Sequence, residues 1–247
     1  MNSYIENPKT QGSGIICAIP QTGTCPMECP DCFFQSGRSY LEPLEKNLPN
    51  MPSVEYAKNK IVRVNDGNDS HNNMSDVIMQ TECYKDRFFN TSISDDLADY
   101  PAPVVLTLNP GKMTNIVFHM IEPPVNLMFV RYRVNMWNLP IAEEAIKYYS
   151  EYNIPIVLTW MAYHNEDSIP KKYRECYQYR KRTKNSYFAI KHDYWKNTMN
   201  LFVENKHVYS CGREGVASGC KFCGNCLREY FSTKEKMRLE SQKAREK

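Results

Sequence analysis

Short apolar runs separated by polar stretches recur along the chain: GIICAIP (14–20), KIVRV (60–64), APVVLTL (102–108), NLMFVRYRV (126–134), IPIVLTW (154–160) and KHVYSC (206–211). Most are apolar almost throughout and rich in valine and isoleucine, rather than alternating with polar residues. A strand apolar at nearly every position is covered on both faces, as in a parallel sheet layered with helices. Helix-compatible stretches lie between the runs. In PIAEEAIKYYSEY (140–152), Pro140 suits a first turn, and Ile141, Ala145, Ile146 and Tyr149 form one apolar stripe. Residues 71–89 and 186–204 read as further helices. Six strands alternating with helices predict an α/β protein, either an open doubly wound sheet or a partial barrel. In both, binding sites belong in the loops after the carboxyl ends of the strands.

The loop after the first expected strand contains CPMECPDC (25–32), three cysteines within eight residues. The start of the chain shows no secretory pattern and no stretch reaches the roughly 20 apolar residues of a membrane helix. A soluble, cytoplasmic protein is therefore expected. In a reducing compartment ten cysteines point to metal or redox chemistry rather than to disulfides. Three thiolates alone leave a tetrahedral structural zinc site one ligand short. They can, however, hold a [4Fe–4S] cluster by three irons and leave the fourth open to a cofactor or substrate.

The spacing CxxxCxxC of Cys25, Cys29 and Cys32 resembles that of the radical S-adenosylmethionine (radical SAM) superfamily. Asp31 stands where that superfamily usually has an aromatic residue, and Phe33 and Phe34 follow. The resemblance implies a partial (βα)6 barrel of parallel strands. It also implies a [4Fe–4S] cluster on these three cysteines, with S-adenosylmethionine bound to the open iron. Reductive cleavage to a 5′-deoxyadenosyl radical and abstraction of a hydrogen atom from a substrate would follow. A flavodoxin or ferredoxin-type electron donor is the expected partner. By the same resemblance, Gly67, Asn68 and Asp69 at the end of the second strand would meet the cofactor, with Asp69 facing its ammonium. Arg133 and Asn135 on the fourth expected strand would bind its carboxylate and ribose. On that reading, replacing Asp69 should matter to a cofactor-binding enzyme and not to a plain metal protein. Trp160, Met161, Tyr163 and His164 end the next strand and read chiefly as core and surface residues.

A second cluster, CGREGVASGCKFCGNC (211–226), supplies Cys211, Cys220, Cys223 and Cys226. Four thiolates complete a site: ferredoxin-like CxxCxxC spacing favours a second [4Fe–4S] cluster, while a structural zinc ion fits the same set. Cys17 reads as core; Cys83 and Cys176 have no assigned role.

Net charge is +3, but unevenly spread. KKYRECYQYRKRTK (171–184) carries seven basic residues and one acid, and the tail 232–247 six basic residues and three acids. Elsewhere 18 basic residues face 24 acidic ones, so any contact with a polyanion is local. Tyrosines interleave the first segment as in a nucleic-acid surface, but a solvated helix or loop whose tyrosines pack down is the favoured reading. The expected organisation is a core at 1–205, a cysteine-rich metal-binding extension at 206–231 and a charged tail at 232–247. Two other functions fit parts of the sequence. One is a non-enzymatic zinc or iron–sulfur protein that binds nucleic acid; the other is an electron carrier. The substrate, whether peptide, nucleotide, RNA or metabolite, is not legible.

Overall fold

The computed structural model describes residues 3–27, 29, 32, 34, 40–109, 122–182, 186–212 and 219–246. Seven parallel strands form one sheet: β1 (Ile15–Ala18), β2 (Ile61–Val64), β3 (Arg87–Thr91), β4 (Val104–Leu108), β5 (Leu127–Val134), β6 (Ile156–Trp160) and β10 (Val208–Ser210). Their order across the sheet is their order in the chain, with no reversal. A small antiparallel sheet, in the order β7-β9-β8, is built from β7 (Ala162–Tyr163), β8 (Tyr177–Arg180) and β9 (Tyr187–Ile190). The helices are α1 (Leu44–Asn47), α2 (Val54–Ala57), α3 (Met74–Gln80), α4 (Leu139–Glu151), α5 (His192–Asn200), α6 (Cys220–Cys223) and α7 (Asn225–Arg245). The protein is thus α/β with a parallel sheet.

Successive strand side chains point to opposite faces, so a run apolar at every position feeds two cores. On one face Val62, Val64, Phe89, Leu106, Val130 and Leu158 pack with Val77 of α3 and with Ala142, Ala145 and Ile146 of α4. On the other, Ile15, Ile61, Phe88, Val105, Phe129 and Val157 meet Tyr230 and Leu227 of α7. Burying each such side chain contributes roughly 1.5–3 kcal/mol. The described residues of 206–231 are part of this layering: they supply β10 at the sheet edge and the first third of α7. Tyr230 also donates a hydrogen bond to Asp86 at 3.0 Å. Beyond Thr233 no residue of α7 is buried, and i,i+3 pairs such as Arg238–Glu235 line it.

Three features differ from expectation. The stretch 71–89 is not one helix: α3 ends at Gln80, and Arg87–Thr91 is a strand. Val77, Thr81, Tyr84 and Phe88 are spaced by four, three and four residues, which imitates a helical stripe. Phe88 and Phe89 instead point to opposite cores. The stretch 186–204 likewise divides into β9 and α5. Its Tyr-Phe-Ala-Ile run pairs with β8, a partner in sequence too polar to read as a strand. Among the described residues the sheet therefore has seven strands rather than six. The predicted helix at 140–152 is present as α4, with Pro140 in its first turn.

No helix among the described residues is long and apolar enough to cross a membrane.

Candidate functional site

The face covered by α7 changes character toward the carboxyl ends of the strands. Its apolar residues give way, two positions along each strand, to Cys17 (β1), Arg63 (β2), Asn90 (β3), Thr107 (β4) and Arg131 (β5). The two cysteine sets flank this polar layer, one in the loop after β1 and the other after β10.

Cys25, Cys29 and Cys32 are all half-buried, and none of the three is in a disulfide. Cys32 donates its backbone N–H to the Cys29 carbonyl at 3.1 Å, a tight turn that carries two of the thiols. Burial pushes the Cys25 thiol above its ordinary pKa, and the charges of Asp69, Cys29 and Cys32 add to the rise. The three sulfurs therefore lie within electrostatic reach of one another and of the turn after β2. Side chains join the two loops. Gln21 Nε2 donates to the carbonyls of Asp69 (3.1 Å) and Asn72 (3.2 Å), and Asn68 Nδ2 donates to that of Gly23 at 3.0 Å. Asp31 and Phe33 lie outside the described residues.

Gly67 lies beneath the Phe34 ring. A Cβ built there would stand 1.9 Å from two ring atoms, so only glycine permits this approach. Phe34 also meets Tyr40 edge-on at 6.5 Å and packs beside Ile19 and Leu41. Gly67→Ala is expected to cost about 1–3 kcal/mol by overpacking, and Phe34→Ala in the same chain to recover part of that. A thermal-unfolding cycle of the two single variants and the double variant checks this.

Asp69 is 5% exposed and fully engaged. Its Oδ1 accepts from Thr91 Oγ1 (2.6 Å) and the His71 N–H (2.9 Å), and its Oδ2 from the Ser92 N–H and hydroxyl, both at 2.7 Å. A carboxylate has about four lone-pair positions, and these donors use all of them. The residue thus fastens the β2 turn to the end of β3. Losing it would unsettle any function of this chain, so its replacement does not separate an enzyme from a plain metal protein.

Arg133 is 8% exposed and donates to Asn109 Oδ1 at 3.0 Å from the α7-side face of β5, where Arg131 also points. Asn135 does not join them. The strand ends at Val134, and Asn135 Oδ1 accepts from the N–H groups of Trp137 and Asn138 while its amide donates to the Tyr163 hydroxyl at 3.0 Å. It shapes the entry into α4. Trp160, Met161 and Tyr163 are core, and the His164 ring meets the Ser186 carbonyl at 2.9 Å.

At the second set, the Cys211 N–H extends the sheet ladder to the Leu158 carbonyl at 2.7 Å. Cys220 and Cys223 are the ends of the single turn α6, three residues apart and therefore on one face. Gly224 adopts a left-handed φ of 65° that ends α6 and starts α7, which places Cys226 in the first turn of α7. Gly219 permits a close approach to the Lys9 carbonyl, which accepts the Cys220 N–H at 2.6 Å. A hydrogen bond to Cys223, with burial, pushes the Cys211 thiol well above its ordinary value. The same bond lowers that of Cys223. Burial raises the Cys226 thiol, although Arg131 and Arg63 oppose the rise.

Arg63 ties the two regions together. It is 7% exposed. Its Nη2 lies 2.6 Å from Asp66 Oδ1 and donates to Cys17 Sγ at 3.3 Å, and its Nη1 reaches Cys220 Sγ at 4.0 Å. Cys17 in turn donates to Asp66 Oδ2 at 3.3 Å, and the Asn7 amide donates to the same oxygen. Burial disfavours the Arg63 charge, yet Asp66, Cys17 and Cys220 hold its pKa above the ordinary value. Cys17 is buried as expected, but it belongs to this charged junction rather than to an apolar core. Sequence reasoning missed the junction. Its signal was the lone arginine in KIVRV, since a charge in a buried strand needs partners.

Among the described residues, no three His, Cys, Asp or Glu side chains are already gathered around a common metal position. The donor chemistry nevertheless suits metals. Each set consists of thiols outside disulfides on short turns, and the buried Arg63 and half-buried Arg131 guanidinium groups lie within electrostatic reach of Cys226, where thiolate charge would need compensation. No known protein family, no curated protein and no solved structure matches this chain.

Proposed function

We propose that the protein is a radical SAM enzyme with a [4Fe–4S] cluster on Cys25, Cys29 and Cys32. The observation that carries this reading is the CxxxCxxC loop at the carboxyl end of β1, stitched by Gln21 and Asn68 to the turn after β2. The sheet supports it too. Strands in chain order, with the buried residues of α3 and α4 on one face, are how right-handed βα units wind into a barrel wall. We therefore assign the core as a partial (βα)6 barrel with β10 as an added edge strand.

With S-adenosylmethionine bound, such a cluster would supply one-electron reductive cleavage of the cofactor and, through it, hydrogen-atom abstraction from a substrate. The chain's part is to hold and shield. Cys25, Cys29 and Cys32 are the iron ligands. Phe34 on Gly67 covers one side of the loop, and Asn68 and Asp69 fix the turn that faces the cofactor. Arg133 offers a guanidinium for its carboxylate. Asn135 takes part by positioning, through the loop after β5. Cys211, Cys220, Cys223 and Cys226 hold a second metal centre, iron–sulfur or zinc, with Arg63 and Arg131 as counter-charges. A flavodoxin or ferredoxin in the cytoplasm would supply the electron.

The test is anaerobic. Protein reconstituted with iron and sulfide, then reduced, should convert S-adenosylmethionine to 5′-deoxyadenosine, and Cys29→Ala should form none above background. A reduced, iron-loaded wild type that forms none would leave a thiolate metal protein without this chemistry.

A further inference from the structure

The described part of the basic run, residues 171–182, is neither one continuous helix nor a plain loop. Lys171–Cys176 is a 3-10 helix, and Tyr177–Arg180 is β8, the edge strand of the small sheet. That sheet begins two residues after β6 ends, so it hangs from the rim of strand carboxyl ends where the cysteine loop also lies. Its inner side is anchored by aromatic rings. Trp137, in the loop after β5, stacks on Tyr163 at 5.4 Å and on Tyr173 at 5.7 Å, and Tyr177 packs against the same group.

Most exposed charges from Lys171 to Arg182 are basic. Lys171, Lys172, Lys181 and Arg182 are exposed and Arg180 is half-exposed. None of these five has an ion-pair partner among the described residues. The nearby acid Asp167 is taken by Arg174 at 2.9 Å, which leaves Glu175 as the one acid within the run. Rings flank the charges on both faces of the strand pair. Tyr179 is 58% exposed and leans on Phe188 at 5.2 Å, on the same sheet face as Tyr177, while the Arg182 guanidinium lies 5.9 Å from the ring of Tyr187, which points to the opposite face with Arg180.

We infer that this edge, from Lys171 to Arg182, binds single-stranded nucleic acid. Five cations without counter-ions match a phosphate backbone, and an exposed ring propped on a second ring offers a face on which an unpaired base can stack. An acidic peptide would satisfy the charges and leave the ring unused. A duplex hides its base faces. Combined with the proposed function, on which this clause rests, the surface names the substrate class: a strand held on the rim of strand carboxyl ends. The binding itself does not depend on any metal.

The experiment is fluorescence anisotropy with a fluorescein-labelled 20-nucleotide single-stranded RNA of mixed sequence. The matched duplex, polyglutamate and phosphatidylserine vesicles serve as competitors. Neutralising five phosphates predicts an affinity that falls about 100-fold between 50 and 200 mM salt. The fourfold variant Lys171→Gln, Lys172→Gln, Arg180→Gln, Arg182→Gln should bind at least tenfold more weakly with a flatter salt slope. Tyr179→Ala should lose about tenfold. Arg180 is half-exposed and the other side chains are exposed, so an unchanged melting temperature shows that the variants fold. No saturable binding at 50 mM salt, or binding that both variants retain, overturns the inference. Stronger competition by polyglutamate, duplex or vesicles than by unlabelled strand overturns it as well. Cys29→Ala protein should bind the strand normally. Binding without 5′-deoxyadenosine formation would sink the radical reading alone, and the reverse result would sink the surface alone.

Discussion

Asp69→Ala is expected to destabilise the protein by about 3–5 kcal/mol, because it strands four donors at once. The Thr91 and Ser92 hydroxyls and the His71 and Ser92 N–H groups all end on this carboxylate. Each hydrogen bond to a charged acceptor is worth about 1.5–3 kcal/mol, and buried donors without partners add their own cost. Part of the total returns when the hydroxyls rotate and water enters the turn. Asp69→Asn should recover little, since its amide nitrogen would point donors at donors. For a chain of this length the change corresponds to a fall of about 10 °C in Tm. Thermal unfolding in the absence of iron and S-adenosylmethionine is the deciding measurement. A stable Asp69→Ala apoprotein would show that the carboxylate is not the fastening of the turn.

Arg63→Met is expected to have a comparable effect for a different reason. It removes the cation between Asp66, Cys17 and Cys220 and leaves the largely buried Asp66 carboxylate with only an amide and a thiol. Breaking a buried ion pair from one side typically costs about 3–5 kcal/mol, whereas replacing both partners costs far less. The sign of a double change is therefore diagnostic: Arg63→Met with Asp66→Asn should be more stable than Arg63→Met alone, measured by urea unfolding. If the second change deepens the loss instead, the pair is not what holds the two regions together. Arg63→Lys should fall between, since it keeps the charge and loses the fork that spans two groups.

Asp66 and Asp69 show how much of the site the sequence disclosed. Their turn was legible as a functional candidate because it follows a strand and contains glycine. Its internal division of labour was not. Asp66 turns toward Arg63 and the α7-side face, whereas Asp69 turns toward β3, a strand the sequence had presented as part of a helix. Without β3 in place, the hydroxyls of Thr91 and Ser92 could not be assigned to Asp69, and the residue looked free for a ligand. Asn135 was misplaced for a similar reason. Continuing the period of two from Arg131 and Arg133 puts it on their face, but the strand stops at Val134 and the asparagine bonds to its own turn.

By itself, the sequence determined the α/β layering, the positions of most strands along the chain, helix α4 and the positions of both cysteine sets. All of these rest on local pattern: runs apolar at every position, a stripe of period 3.6, and fixed spacings along the chain. Tertiary structure alone decided which buried charges meet. Arg63 and Cys220 lie far apart in the chain and meet only because α6 and α7 fold back over the face of β2. Whether a polar side chain is a ligand, a fastener or a counter-charge depends on partners brought in by such long-range contacts, and local sequence carries no record of them.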